Sequence, residues 1–451
     1  MMTTEQELEL LADADQRASH YISGVSGMRV FPDESAIAAL AEFEEDLPNR
    51  GRDPQNTLEL LDRIGSPATA VSNGPRYFGF VIGATLPVAA AAERLALAWD
   101  QCASSFDNSP AAAAIESVAA RWVLDILDLP RQAAVGFGTS ATACAIGCLA
   151  AARRKLLARA GWDVDGDGLS GAPALRVVAP ASAHITIKKA LRLLGFGLNH
   201  VEFAPVDAQA RMIVDKAPAF DDRTILCLQA GEVNTGEFDH FVPLIERARA
   251  GGAWVHIDGA FGLWARASSK LRAMTSGVEG ADSWTTDGHK WLNTPYDGAM
   301  AICRDADDLA AAMNSDAAYA TASKSAQKNL TMEFSRRARG LPIWAALRSL
   351  GREGVAEMVE RHCLQAARLA EGLRAAGYEV CNRVVLNQVL VRASSDAQTI
   401  AVREAAQKSG EIWFGATVWE GRPAFRMSVS SWRTSNADID HAIELLRNLK
   451  A

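Results

Sequence analysis

An aspartate and a lysine, each soon after a short predicted strand, are the residues of this sequence best suited to chemistry. Asp258 directly follows the run Trp254–Ile257, and Lys290 lies between His289 and Trp291. Taken alone, such an aspartate is typical of a turn or a helix cap, and a lysine is typical of a solvated surface. A lysine among aromatic rings, however, loses hydration, which favours its uncharged amine and makes that amine a better nucleophile toward an aldehyde.

Together, Asp258 and Lys290 meet two requirements of pyridoxal phosphate chemistry. This cofactor needs an amine for its Schiff base with the protein, and an acid that keeps its pyridine nitrogen protonated so that the ring withdraws electrons. In open α/β sheets, ligands bind at the carboxyl ends of the strands, where both residues are predicted to lie. We therefore predict that Lys290 forms the Schiff base and that Asp258 pairs with the ring nitrogen.

The phosphate of such a cofactor needs backbone N–H groups at the N-terminus of a helix. The segment Thr139–Thr142 meets this need, because it lies between a predicted strand, Ala134–Phe137, and a predicted helix, Ala143–Leu157. A plain helix cap is the alternative interpretation of that segment. His184 precedes another predicted helix, and it is either a capping or surface histidine or an imidazole stacked on the cofactor ring.

The elements that position these residues form an α/β pattern. From about residue 74 to 304, short β-rich runs alternate with helical ones, which favours a mostly parallel sheet. Several of these runs are continuously apolar, as expected for strands covered on both faces. The seven predicted strands are Ala134–Phe137, Arg176–Ala179, His200–Phe203, Thr224–Gln229, Trp254–Ile257, Ser283–Thr286 and Ala299–Cys303.

Three parts of the chain are predicted: a helical N-terminal extension at residues 1–70, a large cofactor-binding domain at 71–330 and a small α+β domain at 331–451. In the small domain, a long helical pattern precedes three strand-like runs and a closing helix. These runs are Val384–Val391, Ile412–Trp419 and Ala424–Val429, and the helix is Ala437–Leu449.

Composition excludes several classes of protein. The chain has 451 residues, of which 49% are hydrophobic, and its formal net charge is −8. It lacks the basic excess that nucleic acid binding requires and any apolar stretch long enough to span a membrane. The polar, acidic N-terminus lacks the features of a secretory signal, so we expect a cytoplasmic protein. No metal site is predicted.

The motifs together resemble the group II pyridoxal-phosphate-dependent amino acid decarboxylases, which include the glutamate and aromatic-L-amino-acid decarboxylases. The resemblance runs from about residue 74 to the C-terminus, and the Asp-x-His-Lys-Trp-Leu core is its most specific part. It is carried by Gly74–Gly79, His184–Ala190, His256–Ala260, Asp287–Asp297 and Ser335–Trp344. The resemblance implies fold type I, as in the aspartate aminotransferase superfamily, and a homodimer with its active site at the subunit interface.

The resemblance also implies roles for individual residues. Lys290, Tyr319 and His184 are the implied catalytic residues, with Tyr319 as a proton donor on a loop. Possible substrate contacts are Arg426, Glu232 and Phe80, the last within the predicted pocket wall 77–83. The predicted cofactor contacts are Thr139, Ser140, Ala141, Thr142, His184, Asp258, Ala260, His289 and Lys290. The segment after Gly138 is one residue shorter than in the family, which puts its phosphate contacts in question.

The predicted reaction is α-decarboxylation of an amino acid to an amine and CO2. An aldehyde-forming decarboxylation with deamination and an aldol-type carbon–carbon cleavage are alternatives, since the same cofactor supports them. A relative that binds the cofactor without chemistry is a further alternative. The sequence leaves the identity of the amino acid open.

Overall fold

The computed structural model describes residues 2–314 and 325–450. The strands are β1 (Ala134–Gly138), β2 (Arg176–Pro180), β3 (Val201–Ala204), β4 (Thr224–Gln229), β5 (Trp254–Asp258), β6 (Ser283–Asp287), β7 (Ala299–Cys303), β8 (Glu379–Val380), β9 (Gln388–Arg392), β10 (Gly415–Trp419) and β11 (Arg422–Ser428).

The α-helices vary from one turn to ten, and the eleventh is interrupted at Gly351, where φ is 64°. They are α1 (Thr4–Gly24), α2 (Glu34–Ala39), α3 (Pro54–Leu60), α4 (Pro87–Trp99), α5 (Pro110–Ile126), α6 (Ala141–Arg159), α7 (Val164–Asp167), α8 (Ile185–Leu193), α9 (Phe241–Gly251), α10 (Ala306–Met313), α11 (Gly340–Ala375), α12 (Asp396–Ser409) and α13 (Asn436–Lys450). No helix within the described residues is both long and apolar enough to cross a membrane.

The larger of two compact units comprises Thr85–Ala367 and Asn382–Val389. It contains a seven-stranded sheet in the order β1-β7-β6-β5-β4-β2-β3. Only β7 runs antiparallel to its neighbours, β1 and β6. Every residue of β4, β5, β6 and β7 is buried, which explains why β4 and β7 read as near-continuous apolar runs. The predicted α/β fold with a mostly parallel seven-stranded sheet is confirmed.

The smaller unit comprises Met1–Ala84, Arg368–Cys381 and Leu390–Ala451. Its sheet has the order β10-β11-β9-β8, and the β10–β11 and β8–β9 pairs are antiparallel. α1, α2 and α3 confirm that the N-terminal segment is helical. The predicted domain boundaries at residues 70 and 330 differ from the boundaries of the two compact units. The division into three domains therefore stays a prediction.

A contact within the smaller unit changes one of the predicted strands. The Trp413 N–H donates to the carbonyl of Arg76 at 3.2 Å, and its own carbonyl accepts the Phe78 N–H at 2.7 Å. The rings of Tyr77 and Trp413 stack with centroids 4.8 Å apart. Trp413 therefore pairs with the N-terminal part of the chain, and β10 begins only at Gly415 rather than at residue 412.

A buried ion pair in the larger unit holds the strand that leads to α6. The Arg336 guanidinium donates to both carboxylate oxygens of Glu116, at 2.8 and 2.9 Å, and to the carbonyl of Phe137 in β1 at 2.8 Å. One Glu116 oxygen also accepts the Gly340 N–H at 2.9 Å. The two side chains are 0% and 1% exposed, so each charge depends on the other for compensation.

Replacing Glu116 with alanine should lower the free energy of unfolding by about 3–5 kcal/mol, because the Arg336 charge would remain buried without a partner. Urea unfolding followed by circular dichroism measures this loss. Asp440→Ala is the matched control, since Asp440 pairs with Arg368 where both side chains are about half exposed. The control should change stability far less. Equal effects of the two substitutions would contradict the structural importance of the Glu116 pair.

Candidate functional site

The described site residues of the larger unit lie at or soon after the carboxyl ends of β1, β2, β4, β5 and β6. Asp258 is the last residue of β5 and lies in register with Gln229 of β4 and Thr285 of β6. Asp287 is the last residue of β6, three positions before Lys290. β5 and β6 therefore end at the sheet edge where α/β proteins bind ligands.

Asp258 is a buried carboxylate that is 7% exposed. Its Oδ1 accepts the Ala260 N–H at 3.2 Å. Burial raises the pKa of the Asp258 carboxyl, while the nearby charges of His184 and Lys290 oppose this shift. No cation within the described residues forms an ion pair with it, and a buried carboxylate without a cation is costly. A protonated pyridine nitrogen would supply that cation, so this residue fits pyridoxal phosphate.

The chain neighbours of Lys290, His289 and Trp291, are buried, whereas the Lys290 side chain is 20% exposed. Trp291 is fully buried, and the His289 ring stacks on Tyr296 with centroids 4.2 Å apart. Burial lowers the pKa of His289, and its Nδ1 accepts the Gly298 N–H at 3.2 Å. The Lys290 amine itself is paired, because its Nζ lies 3.2 Å from Oδ2 of Asp287.

Asp287 is the residue at this site to which the sequence analysis assigned no function. Its Oδ2 pairs with Lys290, and its Oδ1 accepts the Ala141 N–H at 2.7 Å. The carboxylate thus joins the predicted cofactor lysine to the first turn of α6. The contact between Asp287 and Ala141 connects positions 146 residues apart, so no local pattern in the sequence indicates it. The position of Asp287 at a strand end was the only available signal.

The predicted phosphate segment is the turn between β1 and α6. Ser140 is the N-cap of α6, and its Oγ accepts the Ala143 N–H at 3.3 Å. The first turn of this 19-residue helix places N–H groups and a partial positive charge next to Asp287 and Lys290. Thr139 and Thr142 are half-buried on either side of the N-cap. An anion-binding helix N-terminus beside a lysine amine suits a cofactor that carries both a phosphate and an aldehyde.

His184 follows β2 and is the N-cap of α8. Its Nδ1 lies 2.7 Å from Thr186 Oγ1 and accepts the Thr186 N–H at 3.4 Å. His184 therefore caps the N-terminus of α8. Its ring is half-buried and near enough to Asp258 to affect the pKa of that carboxyl. Stacking of this ring on a cofactor remains a prediction, as does the contact with Ala260, whose carbonyl accepts the Asp287 N–H at 2.9 Å.

The predicted substrate contacts have different surroundings. Glu232 is 3% exposed, and its Oε2 accepts the N–H groups of Asn234 and Thr235, each at 2.8 Å. This gives its carboxylate a structural role within its own turn, and substrate contact by Glu232 stays a prediction. Extra carboxylates after a strand end often cap such turns.

Phe80 and Arg426 belong to the smaller unit, which is described by itself. Phe80 has a φ of 52°, is 56% exposed and lies with its ring 5.2 Å from that of Trp413. Arg426 is half-buried in β11, in register with Gly415 of β10. Tyr319 lies outside the described residues. Within the described residues, no group of three or more His, Cys, Asp or Glu side chains is arranged to hold a metal ion.

Comparisons with known proteins point to one family. A family model described as the pyridoxal-dependent decarboxylase conserved domain matches residues 38–394. L-2,4-diaminobutyrate decarboxylase of Rhizobium meliloti (strain 1021) is 27% identical over 467 residues, which cover 97% of this chain and 89% of that protein. Phenylacetaldehyde synthase of Arabidopsis thaliana is 23% identical over 438 residues, covering 89% of this chain and 88% of that protein.

A solved structure supports the same fold. The crystal structure of Oryza sativa TDC with PLP and tryptamine superposes with a TM-score of 0.91 at 23% sequence identity. The match covers 99% of this chain and 98% of that one.

Proposed function

Because the chain belongs to the pyridoxal-dependent decarboxylase family and is a pyridoxal-phosphate-dependent amino acid decarboxylase, we propose that Lys290 is the lysine that carries the cofactor. Asp258 holds the proton on the ring nitrogen, and Thr139–Thr142 bind the phosphate. The observation that carries this assignment is the meeting of three groups at one sheet edge: a buried carboxylate, a lysine amine and a helix N-terminus.

When bound, pyridoxal phosphate supplies an electron sink for the negative charge left at Cα as CO2 departs. The side chains direct that chemistry by their positions. Asp258, fixed at the end of β5 and shielded from water, would pair with the ring nitrogen of the bound cofactor and so favour the protonated ring. His184 would contact one face of the bound ring and Ala260 the other. Orientation by the protein decides which bond at Cα is broken.

The remaining contacts are proposed from the sequence and from single observations. Phe80 presents an exposed ring beside Trp413, which suits contact with a substrate side chain. Arg426 suits a substrate carboxylate through its guanidinium. His289 adds a cofactor contact next to Lys290.

We also propose a cytoplasmic homodimer with the active site at the subunit interface. This proposal rests on the resemblance to the family. Light scattering of the purified protein tests the dimer.

Product analysis with the purified, cofactor-loaded protein tests the function. Diaminobutyrate, which the name of one relative gives, is incubated alongside the twenty standard amino acids. CO2, amine, aldehyde and ammonia are measured in parallel. We expect one amino acid or a small group to give equal amounts of CO2 and amine. Failure of every amino acid to release CO2 while the cofactor is bound would favour a binding protein without chemistry.

Aldehyde formation is the second candidate function, because one relative is a phenylacetaldehyde synthase. On the sequence alone, Tyr319 is the proposed group that protonates Cα after CO2 departs. Tyr319→Phe should therefore lower amine production at least about tenfold and raise the aldehyde share, since a lost general acid costs roughly 10²–10⁴ in rate. Tyr21→Phe, in α1, is the control and should leave the product ratio unchanged. An unaltered rate and product ratio in Tyr319→Phe would refute the role of this tyrosine.

A further inference from the structure

Contacts with surrounding residues fix both the backbone and the side chain of Asp287. Its N–H donates to the carbonyl of Ala260 at 2.9 Å, and its carbonyl accepts the Trp264 Nε1–H at 3.0 Å. The side chain is 3% exposed. The carboxylate contacts the Ala141 N–H at 2.7 Å, the Lys290 amine at 3.2 Å and Nε2 of His289 at 3.6 Å. It is therefore held at the junction of the lysine and the helix N-terminus.

This position creates a conflict with the cofactor's phosphate. The N–H groups in the first turn of α6 are the donors proposed for the phosphate, yet the Ala141 N–H already donates to a carboxylate. A phosphate monoester carries between one and two negative charges at neutral pH. Two anions at hydrogen-bond range of the same N–H repel each other, and the repulsion is stronger in a buried site than in water.

We propose that Asp287 is an internal competitor of the cofactor's phosphate: its carboxylate and the phosphate compete for the N-terminus of α6. Without the phosphate, Asp287 caps the helix and neutralises Lys290. When the phosphate binds, the Ala141 N–H passes from the carboxylate to the phosphate. The competition lowers the affinity for the cofactor and makes the cofactor easier to exchange. This inference rests on the proposed assignment of Lys290 and of the segment Thr139–Thr142.

The substitution Asp287→Asn separates charge from shape. The asparagine Oδ1 can still accept the Ala141 N–H, and its Nδ2 can donate to a phosphate oxygen. We expect the variant to bind pyridoxal 5'-phosphate at least about tenfold more tightly, which corresponds to about 1.4 kcal/mol. Inorganic phosphate should gain similarly, whereas pyridoxal, which lacks the phosphate, should change by less than about twofold. Dissociation constants are measured on cofactor-free protein by fluorescence and calorimetric titration.

Two further variants complete the experiment. Asp305→Asn makes the same change of charge at the N-cap of another helix, α10, and should leave all three affinities unchanged. Asp287→Ser removes the charge with a shorter side chain and replaces the asparagine variant if that variant does not fold.

The outcomes divide clearly. Weaker or unchanged binding of pyridoxal 5'-phosphate by both Asp287 variants overturns the proposal. Equal gains in affinity for pyridoxal and for pyridoxal 5'-phosphate also overturn the proposal. Pyridoxal has no phosphate, so the substitution would then act through the Lys290 amine. The titration with inorganic phosphate does not require Lys290 to carry the cofactor. A gain for inorganic phosphate therefore supports competition at the helix even if peptide mapping placed the cofactor on another lysine, which would refute the proposed function alone.

Discussion

Replacing Lys290 with arginine or alanine should lower the rate of CO2 release by roughly a thousandfold or more, as expected when a covalent catalytic group is removed. A guanidinium cannot replace the amine as a nucleophile, yet it keeps the positive charge that pairs with Asp287. The arginine variant should therefore stay folded while losing activity. Borohydride reduction followed by peptide mapping should place a pyridoxyl group on Lys290 in the unmodified protein and nowhere in either variant.

The control for Lys290 is Lys270→Ala. Lys270 pairs with Glu360 on the surface of the larger unit, and its side chain is 76% exposed. This substitution should leave both activity and the labelling of Lys290 unchanged. Retention of a reducible cofactor band in Lys290→Ala, or a label on any other lysine, would show that the site has been assigned to the wrong residue.

Replacing Asp258 with asparagine should reduce kcat by roughly 10²–10³, the usual loss when one electrostatic stabiliser of a transition state is removed. A neutral amide leaves the ring nitrogen unprotonated, so the ring withdraws electrons less strongly. Steady-state kinetics at saturating cofactor measure the loss. The affinity for the cofactor should fall as well, because the buried charge pair with the ring nitrogen is gone.

The stability of Asp258→Asn separates this role from a merely structural one. Burial raises the pKa of the Asp258 carboxyl above that of the unfolded chain. Its charged form is therefore disfavoured by folding at neutral pH, and a neutral asparagine relieves that cost. Without cofactor, the variant should be at least as stable in urea as the unmodified protein. A clearly less stable variant would indicate that the carboxylate serves the fold.

Asp282→Asn is the matched control for Asp258. Asp282 is a half-buried carboxyl directly before β6, where its Oδ2 accepts the Val255 N–H at 2.8 Å. It lies next to the amino end of β6, away from the carboxyl ends of the strands. Its replacement should preserve kcat and cofactor affinity, whatever it does to stability. A comparable fall in kcat in the control would attribute the Asp258 effect to a general disturbance of the sheet.

The fold of the larger unit was predictable because its strands carry their own local signal. Buried strands such as β4 and β7 require continuous apolar runs, and these runs are visible in the sequence. The strand around Trp413 was less predictable. Its apolar run continues through residues 412–419, but the backbone of Trp413 bonds to Arg76 and Phe78, far away along the chain. Strand periodicity cannot indicate which partner such a run will find.

The candidate site was likewise only partly predictable from the sequence. The sequence by itself predicted that Asp258 and Lys290 lie near the carboxyl ends of two strands, because each comes soon after a predicted strand. Only the tertiary structure decided that Asp287 joins Lys290 to the Ala141 N–H. The physical reason is that apolar periodicity is local, whereas the pairing of a buried charge depends on which distant donors folding brings within hydrogen-bond range.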